Sequence, residues 1–130
     1  MSHEVNLPEI VAEVRASFEA YNVAIESGDT AALNSFFWES PNTVRFGNGE
    51  HLFGHSEIAS FRSGVWKPGG ARKLDRVQVT TLGRDFGLTW ALFRKPDGTG
   101  PISRQSQTWA RFPEGWRIIA AHVSAVTLPA

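Results

Sequence analysis

The spacing of apolar residues changes once along the chain, and this change limits the fold more than any other feature. Before about residue 65 the apolar residues recur at helical spacing, whereas from Lys73 onward they alternate with a period of two, as in strands. Turn residues divide the second part into four predicted strands, near 73–82, 86–95, 102–112 and 116–126. Helices early and antiparallel strands late predict an α+β fold with a curved antiparallel sheet.

The first part of the chain predicts three helices and a short hairpin. The first helix begins at Asn6-Leu7-Pro8-Glu9, where Asn6 can cap it and Pro8 suits an early position, and it runs to about Ser27. The remaining predicted elements are a short helix from Asp29 or Thr30, a hairpin of 43–46 with 51–53, a helix over 56–65 and a loop at 67–70.

Size and charge narrow the class of partner. A chain of 130 residues is the usual size of one domain, so we expect a single domain over residues 1–130. Thirteen basic and thirteen acidic residues cancel, which does not favour nucleic acid or a membrane surface as partner. Cysteine is absent and no leader-like segment precedes the first helix, so we expect a cytoplasmic protein that binds a small molecule.

The single tyrosine of the chain is a candidate catalytic residue. Tyr21 falls on the same helical stripe as Val14 and Phe18, which directs its phenol toward the interior. There the hydroxyl could donate to an oxyanion or transfer a proton. A core tyrosine that bonds a backbone carbonyl remains the alternative.

Arg45, on the first predicted strand, is the second candidate. Its planar guanidinium could bind a carboxylate through two parallel hydrogen bonds, which predicts a small anionic ligand. The alternative is an exposed or ion-paired arginine on an edge hairpin.

Two glutamines on the third long strand are candidate ligand-binding residues. Gln105 and Gln107 share one face with Trp109, and two inward amides would suit a urea or amide group. The alternative is that the polar residues mark a solvent-facing or interface side.

His122 and Ser124 share a face of the last strand and are predicted to line the same pocket. No third member or oxyanion hole accompanies them, so an activated serine is not favoured. His51 and His55 lack a carboxylate to complete a metal shell, and we expect neither metal nor cofactor. The acidic Asp85, Asp97 and Glu114 all fall in turns, which does not favour chemistry that needs an inward carboxylate base.

Two of the long strands carry apolar residues on both faces. In 116–126, Ile118 and Ala120 alternate with Ile119, and 86–95 shows a similar pattern. Such strands need cover on both sides, and the chain has helices for one, so we expect a homodimer through the outer sheet face.

The order of elements and the segment from Trp116 to Ser124 resemble the ketosteroid-isomerase-like, or SnoaL-like, superfamily, and within it the AtzH-like family with its oxalurate-catabolism (HpxZ-type) members. The stretches that carry the closer resemblance are Phe37-Trp38, Thr43-Val44-Arg45-Phe46-Gly47, Gly54-His55, Gly83-Arg84-Asp85-Phe86, Arg104-Gln105-Ser106-Gln107-Thr108-Trp109, Gly115-Trp116 and His122-Val123-Ser124.

This resemblance implies a cone-shaped fold, a dimer, and metal-independent decarboxylating hydrolysis of a ureido acid such as dicarboxyurea. It also implies that Tyr21 and Arg45 are the functional pair. The alternative is a non-catalytic acid-binding or accessory protein of an amidase or oxalurate pathway. The segment 63–73 matches no motif of the family.

Overall fold

The computed structural model describes residues 4–64, 66 and 70–127. Its helices are α1 (Pro8–Ser27), α2 (Thr30–Phe36) and α3 (His55–Ser63). Its strands are β1 (Val44–Phe46), β2 (His51–Phe53), β3 (Lys73–Leu82), β4 (Phe86–Arg94), β5 (Ile102–Phe112) and β6 (Gly115–Val126). The predicted α+β architecture is confirmed, while Val65 and most of the predicted loop at 67–70 lie outside the described residues.

The strands form one sheet in the order β2-β1-β6-β5-β4-β3. Neighbouring strands are antiparallel except β1 and β6, which run parallel with Arg45 opposite Ala121. The predicted antiparallel pairing of the four long strands is therefore confirmed, but the sheet as a whole is mixed rather than antiparallel, because β1 joins it parallel to β6. No tight turn joins β1 to β6, and the long intervening chain allows them to pair in parallel.

Helix α1 starts differently from the prediction. Leu7 occupies the cap position without a side-chain cap bond. Asn6 has a φ of 56° and instead pairs with β3, since its backbone N–H donates to Thr81 O at 3.0 Å and its Oδ1 accepts from Thr81 N at 2.8 Å. The predicted cap at Asn6 is thus wrong, because the side chain satisfies a strand N–H rather than a helix N–H.

The buried stripe of α1 packs against one face of the sheet, which we call the helix side. Val14, Phe18 and Tyr21 are buried on this stripe. Close approach depends on Gly87 of β4, because a Cβ there would lie 2.8 Å from Val14 Cγ2. This contact places Tyr21 over the sheet.

A bulge changes the alternation within β6. Trp109 of β5 lies opposite Ile118, whereas the preceding Thr108 lies opposite Ala120, so Ile119 is an extra residue. Ile118 is therefore buried on the helix side while Ala120 and His122 belong to the other face. The prediction that Ile118 and Ala120 share a face is wrong.

The face of the sheet opposite the helices, which we call the outer face, exposes large apolar side chains. Phe46, Phe86 and Trp90 lie on this face, and Trp90 is 41% exposed. Strand β4 is thus apolar on both faces, as expected, whereas β6 presents His122 and Ser124 on the outer face. None of the described helices is both long and apolar enough to cross a membrane.

Candidate functional site

A cavity of about 430 Å³ opens on the helix side of the sheet. Five elements, α1, β1, β4, β5 and β6, contribute to its wall, together with the segment before β3. The residues that matter for its chemistry are Tyr21, Arg45, Arg72, Phe93 and Gln105. The structure therefore brings together both predicted catalytic residues and one of the two predicted glutamines.

Tyr21 is fixed at this cavity by aromatic contacts. Its side chain is 2% exposed, and its ring meets Phe36 and Phe37 edge-on at centroid distances of 5.7 and 6.3 Å. The hydroxyl accepts a hydrogen bond from Arg62 Nη2 at 3.3 Å. Because a guanidinium has donors only, the phenol oxygen is the acceptor and its own proton stays available to another group.

Arg45 lines the cavity and is ion-paired at the same time. Its Nη1 lies 2.7 Å from Glu50 Oε1, and its side chain is 11% exposed. Gly47 makes room for this pair, since a Cβ there would overlap the Glu50 carboxylate. The ion-paired alternative for Arg45 is thus observed within the hairpin, and the same side chain borders the cavity, while binding of a ligand carboxylate stays a prediction.

Arg62 brings a further positive charge beside Tyr21. It is 3% exposed, its Cζ lies 4.7 Å from the Trp66 ring centroid, and its Nε and Nη1 have no hydrogen-bond partner within the described part of the chain. Burial lowers the pKa of Arg62, an effect that Tyr21 opposes and the Arg45 charge reinforces. A buried cation with free donors makes the region attractive to an anion.

Arg72 supplies another positive charge on the cavity wall. Its Nε donates to Asn22 Oδ1 at 2.7 Å and its Cζ lies 4.1 Å from the Phe93 ring centroid. Burial lowers the pKa of Arg72, with Tyr21 and Glu26 opposing. Its Nη2 is buried, and none of the described residues accepts a bond from it.

Sequence reasoning missed both Arg62 and Arg72. Arg62 follows the buried Ile58 by four residues, so the stripe of α3 carried a signal for it. Arg72 precedes β3 in the segment 63–73, where no periodic pattern reveals which way a side chain faces.

The two glutamines have different environments. Gln105 lines the cavity and its Oε1 is buried without a partner among the described residues. Gln107 is buried in the core instead, where its Oε1 accepts a hydrogen bond from Thr89 Oγ1 at 3.1 Å. Thr89 Oγ1 in turn accepts a hydrogen bond from Trp109 Nε1 at 3.0 Å. The prediction that Gln107 lines the pocket is therefore corrected, because the core network holds it.

His122 and Ser124 lie on the outer face, away from Tyr21 and Arg45. They border a separate cavity of about 470 Å³ together with Trp90 and Arg104, whose Nη2 donates to Ser124 Oγ at 3.2 Å. The prediction that all these residues line one pocket is corrected here. The bulge at Ile119 is the physical reason, since without it His122 would share the buried side of Ile118.

No Asp or Glu is among the described residues that line the helix-side cavity, although Glu50 and Glu26 bond to Arg45 and Arg72 on its wall. Asp85, Asp97 and Glu114 are exposed in turns, as their sequence positions predict. Within residues 4–64, 66 and 70–127, no group of three or more His, Asp or Glu side chains is arranged to hold a metal ion.

Comparison with known proteins identifies the family. The model of the AtzH-like family matches residues 3–128. Among curated proteins, no significant match was found.

Solved structures agree with the family match. A cystatin-like fold protein from Burkholderia xenovorans LB400 is 43% identical with a TM-score of 0.92, and the alignment covers 98% of this chain and 100% of that one. A protein of unknown function of the DUF3225 family from Pectobacterium atrosepticum SCRI1043 is 41% identical with a TM-score of 0.89 over 95% of each chain.

A more distant structure shows the fold alone. An NTF2-like protein of unknown function from Pseudomonas putida KT2440 is 19% identical, with a TM-score of 0.75 over 90% of this chain and 87% of that one. The resemblance to the AtzH-like family is thus confirmed: this chain belongs to that family and has the NTF2-like, cystatin-like α+β fold.

Proposed function

We propose that the protein is an enzyme that binds a small ureido carboxylic acid in the helix-side cavity and cleaves it by metal-independent decarboxylating hydrolysis. Dicarboxyurea carries the N-carboxylate that loses carbon dioxide in this chemistry. The oxalurate-type branch of the family is included in the proposal, although an oxalurate-like acid has its carboxylate on carbon and would instead need water to hydrolyse its C–N bond. The observation that carries it is the placement of Tyr21 and Arg45 on one cavity that lacks acidic lining residues among those described. A cone-like fold with the cavity at its wide end is part of the same proposal.

The charge of the cavity region supports an anionic ligand. Arg45, Arg62 and Arg72 lie at or beside it, and only Arg45 has a carboxylate within ion-pair distance among the described residues, namely that of Glu50. Buried charges in proteins are generally paired, because an unpaired one costs several kcal/mol. A substrate carboxylate would supply the missing negative charge.

The free proton of Tyr21 supports a role as acid. One end of a dicarboxyurea substrate is a carbamate, in which a carboxylate is bonded to nitrogen. When this N–C bond breaks, its electron pair stays on nitrogen. That nitrogen takes the Tyr21 proton as carbon dioxide leaves, and the tyrosinate recovers a proton from water. Arg62, at 3.3 Å, would stabilise the transient negative charge on the phenol oxygen.

Arg45→Gln tests the proposed function. We expect the wild type to release carbon dioxide from at least one of dicarboxyurea, allophanate and oxalurate. Loss of a charge-assisted contact should weaken binding about 10- to 100-fold in Arg45→Gln. Coupled detection of carbon dioxide and calorimetric titration of each acid measure the two effects.

Two controls separate this role from a structural one. Glu50→Gln removes the ion pair but keeps the guanidinium, and it should not weaken binding. Arg15→Gln removes one charge from the exposed side of α1 and should change neither quantity. Binding without turnover of any of the three acids would overturn the enzyme proposal in favour of an accessory binding protein.

We also propose a homodimer through the outer face. Phe46, Phe86 and Trp90 are exposed there, and covering such side chains contributes roughly 25 cal/mol per Å² of apolar surface. Trp90→Glu should therefore yield a monomer in sedimentation velocity. Val23→Glu is the matched control, because Val23 is also exposed but lies on α1. A wild-type monomer, or a dimer that survives Trp90→Glu, would contradict this assembly.

A further inference from the structure

We infer that Arg72 is the residue that makes the helix-side cavity prefer ligands with two anionic ends, holding the second end while Arg45 holds the first. This inference rests on the proposed function, since it concerns the same cavity and the same class of acid. It assigns a role to Arg72, for which the sequence alone indicated none.

The guanidinium of Arg72 is held in place with one buried nitrogen left unbonded. Asn22 Oδ1 accepts from its Nε at 2.7 Å, and the Phe93 ring lies against it at 4.1 Å. Both contacts orient the planar group, whereas its Nη2 is buried and lacks a protein acceptor in the described part of the chain. An oriented donor without an acceptor is the arrangement expected of a group that binds a ligand.

Local carboxylates do not neutralise Arg72 directly. Glu26 is the nearest acidic residue that affects it, yet its Oε2 accepts from Asn22 Nδ2 at 3.3 Å and its Oε1 accepts from the backbone N–H of Arg72 at 3.4 Å. No carboxylate lies within 4.0 Å of the Arg72 guanidinium nitrogens among the described residues. A ligand oxygen could accept from the buried Nη2 of Arg72.

The other cations at the cavity are less suited to this role. Arg94 is committed to Asp75, with Nε 2.7 Å from Oδ2. Lys95 is exposed and offers a mobile point charge rather than an oriented fork. Arg62 also has buried nitrogens without a partner, but it is not among the residues that line the cavity. Among the described cations that do line it, Arg72 is therefore the one that combines fixed geometry with an unbonded buried nitrogen.

Succinate and succinamate provide the test, because they have the same shape but two and one carboxylates respectively. Titration calorimetry at constant ionic strength should show wild-type protein binding succinate about tenfold more tightly. In Arg72→Gln we expect succinate affinity to fall about tenfold and succinamate affinity by less than about twofold. Arg72→Lys keeps the charge and should retain part of the preference.

Lys95→Gln is the matched control, since it removes one charge from the same cavity, and it should leave the preference intact. Equal binding of the two ligands by the wild type would overturn the role of Arg72, and if binding still depended on Arg45 the proposed function would stand. The role of Arg72 would also be overturned if Arg72→Gln weakened the binding of both ligands equally, or if Lys95→Gln abolished the preference for succinate. If neither ligand binds and no ureido acid is turned over, both proposals fail.

Discussion

Tyr21→Phe should lower the rate of substrate turnover at least about 100-fold, the lower end of what a positioned acid or base contributes. The substitution removes the hydroxyl that accepts from Arg62 and keeps the ring that packs between Phe36 and Phe37. Ligand binding should therefore change much less than turnover. Steady-state kinetics on the ureido acid that the wild type cleaves, with calorimetric binding of the same acid, measure the two effects.

A hydroxyl lost elsewhere provides the control for Tyr21→Phe. Ser35 lies on α2 and donates to Ala32 O at 2.6 Å, in an exposed position. Ser35→Ala should leave turnover unchanged. If Tyr21→Phe retained wild-type turnover with an intact fold, Tyr21 would be a core residue only and the proposed proton transfer would be wrong.

The second large effect concerns stability. Trp109→Ala should lower the free energy of unfolding by about 3–5 kcal/mol, the usual cost of truncating a buried tryptophan. Trp109 is 0% exposed, meets Phe36 edge-on at 6.3 Å, and donates from Nε1 to Thr89 Oγ1 at 3.0 Å. Its removal leaves a void between α2 and the sheet. It also removes the hydrogen bond to Thr89, which itself donates to Gln107. Urea denaturation followed by circular dichroism measures the loss.

Two variants define what part of that loss comes from packing. Trp109→Phe keeps much of the ring volume but lacks the indole N–H, so it should cost less than the alanine variant. Val23→Ala trims an exposed apolar side chain and should change stability by no more than about 0.5 kcal/mol. A cost below about 1 kcal/mol for Trp109→Ala would mean that the core collapses around the site and that Trp109 does not organise it.

Local patterns in the sequence predicted most of the secondary structure. Alternating apolar residues and glycine-rich turns predicted the four long strands, whose observed bounds differ by about one residue at most. The helical stripe through Val14 and Phe18 likewise predicted that Tyr21 faces inward. These features follow from neighbours close in sequence, and period and turn chemistry express them directly.

Contacts between distant parts of the chain decided the rest. Parallel pairing of β1 with β6 sets Arg45 beside Ala121, and nothing in the three-residue strand β1 specifies that partner. The bulge at Ile119 moved His122 and Ser124 to the outer face, because one extra residue reverses the direction of every side chain after it.

The sequence alone therefore determined the α+β fold, its elements and the inward Tyr21, and it suggested Arg45 as the partner of Tyr21. Only the tertiary structure showed that Arg62 and Arg72 lie near Tyr21 and Arg45, and that Gln107 is buried in the core. The physical reason is that periodicity records which side of an element is buried. It does not record which distant element covers that side, or whether a polar group buried there meets a protein partner or is left to bind a ligand.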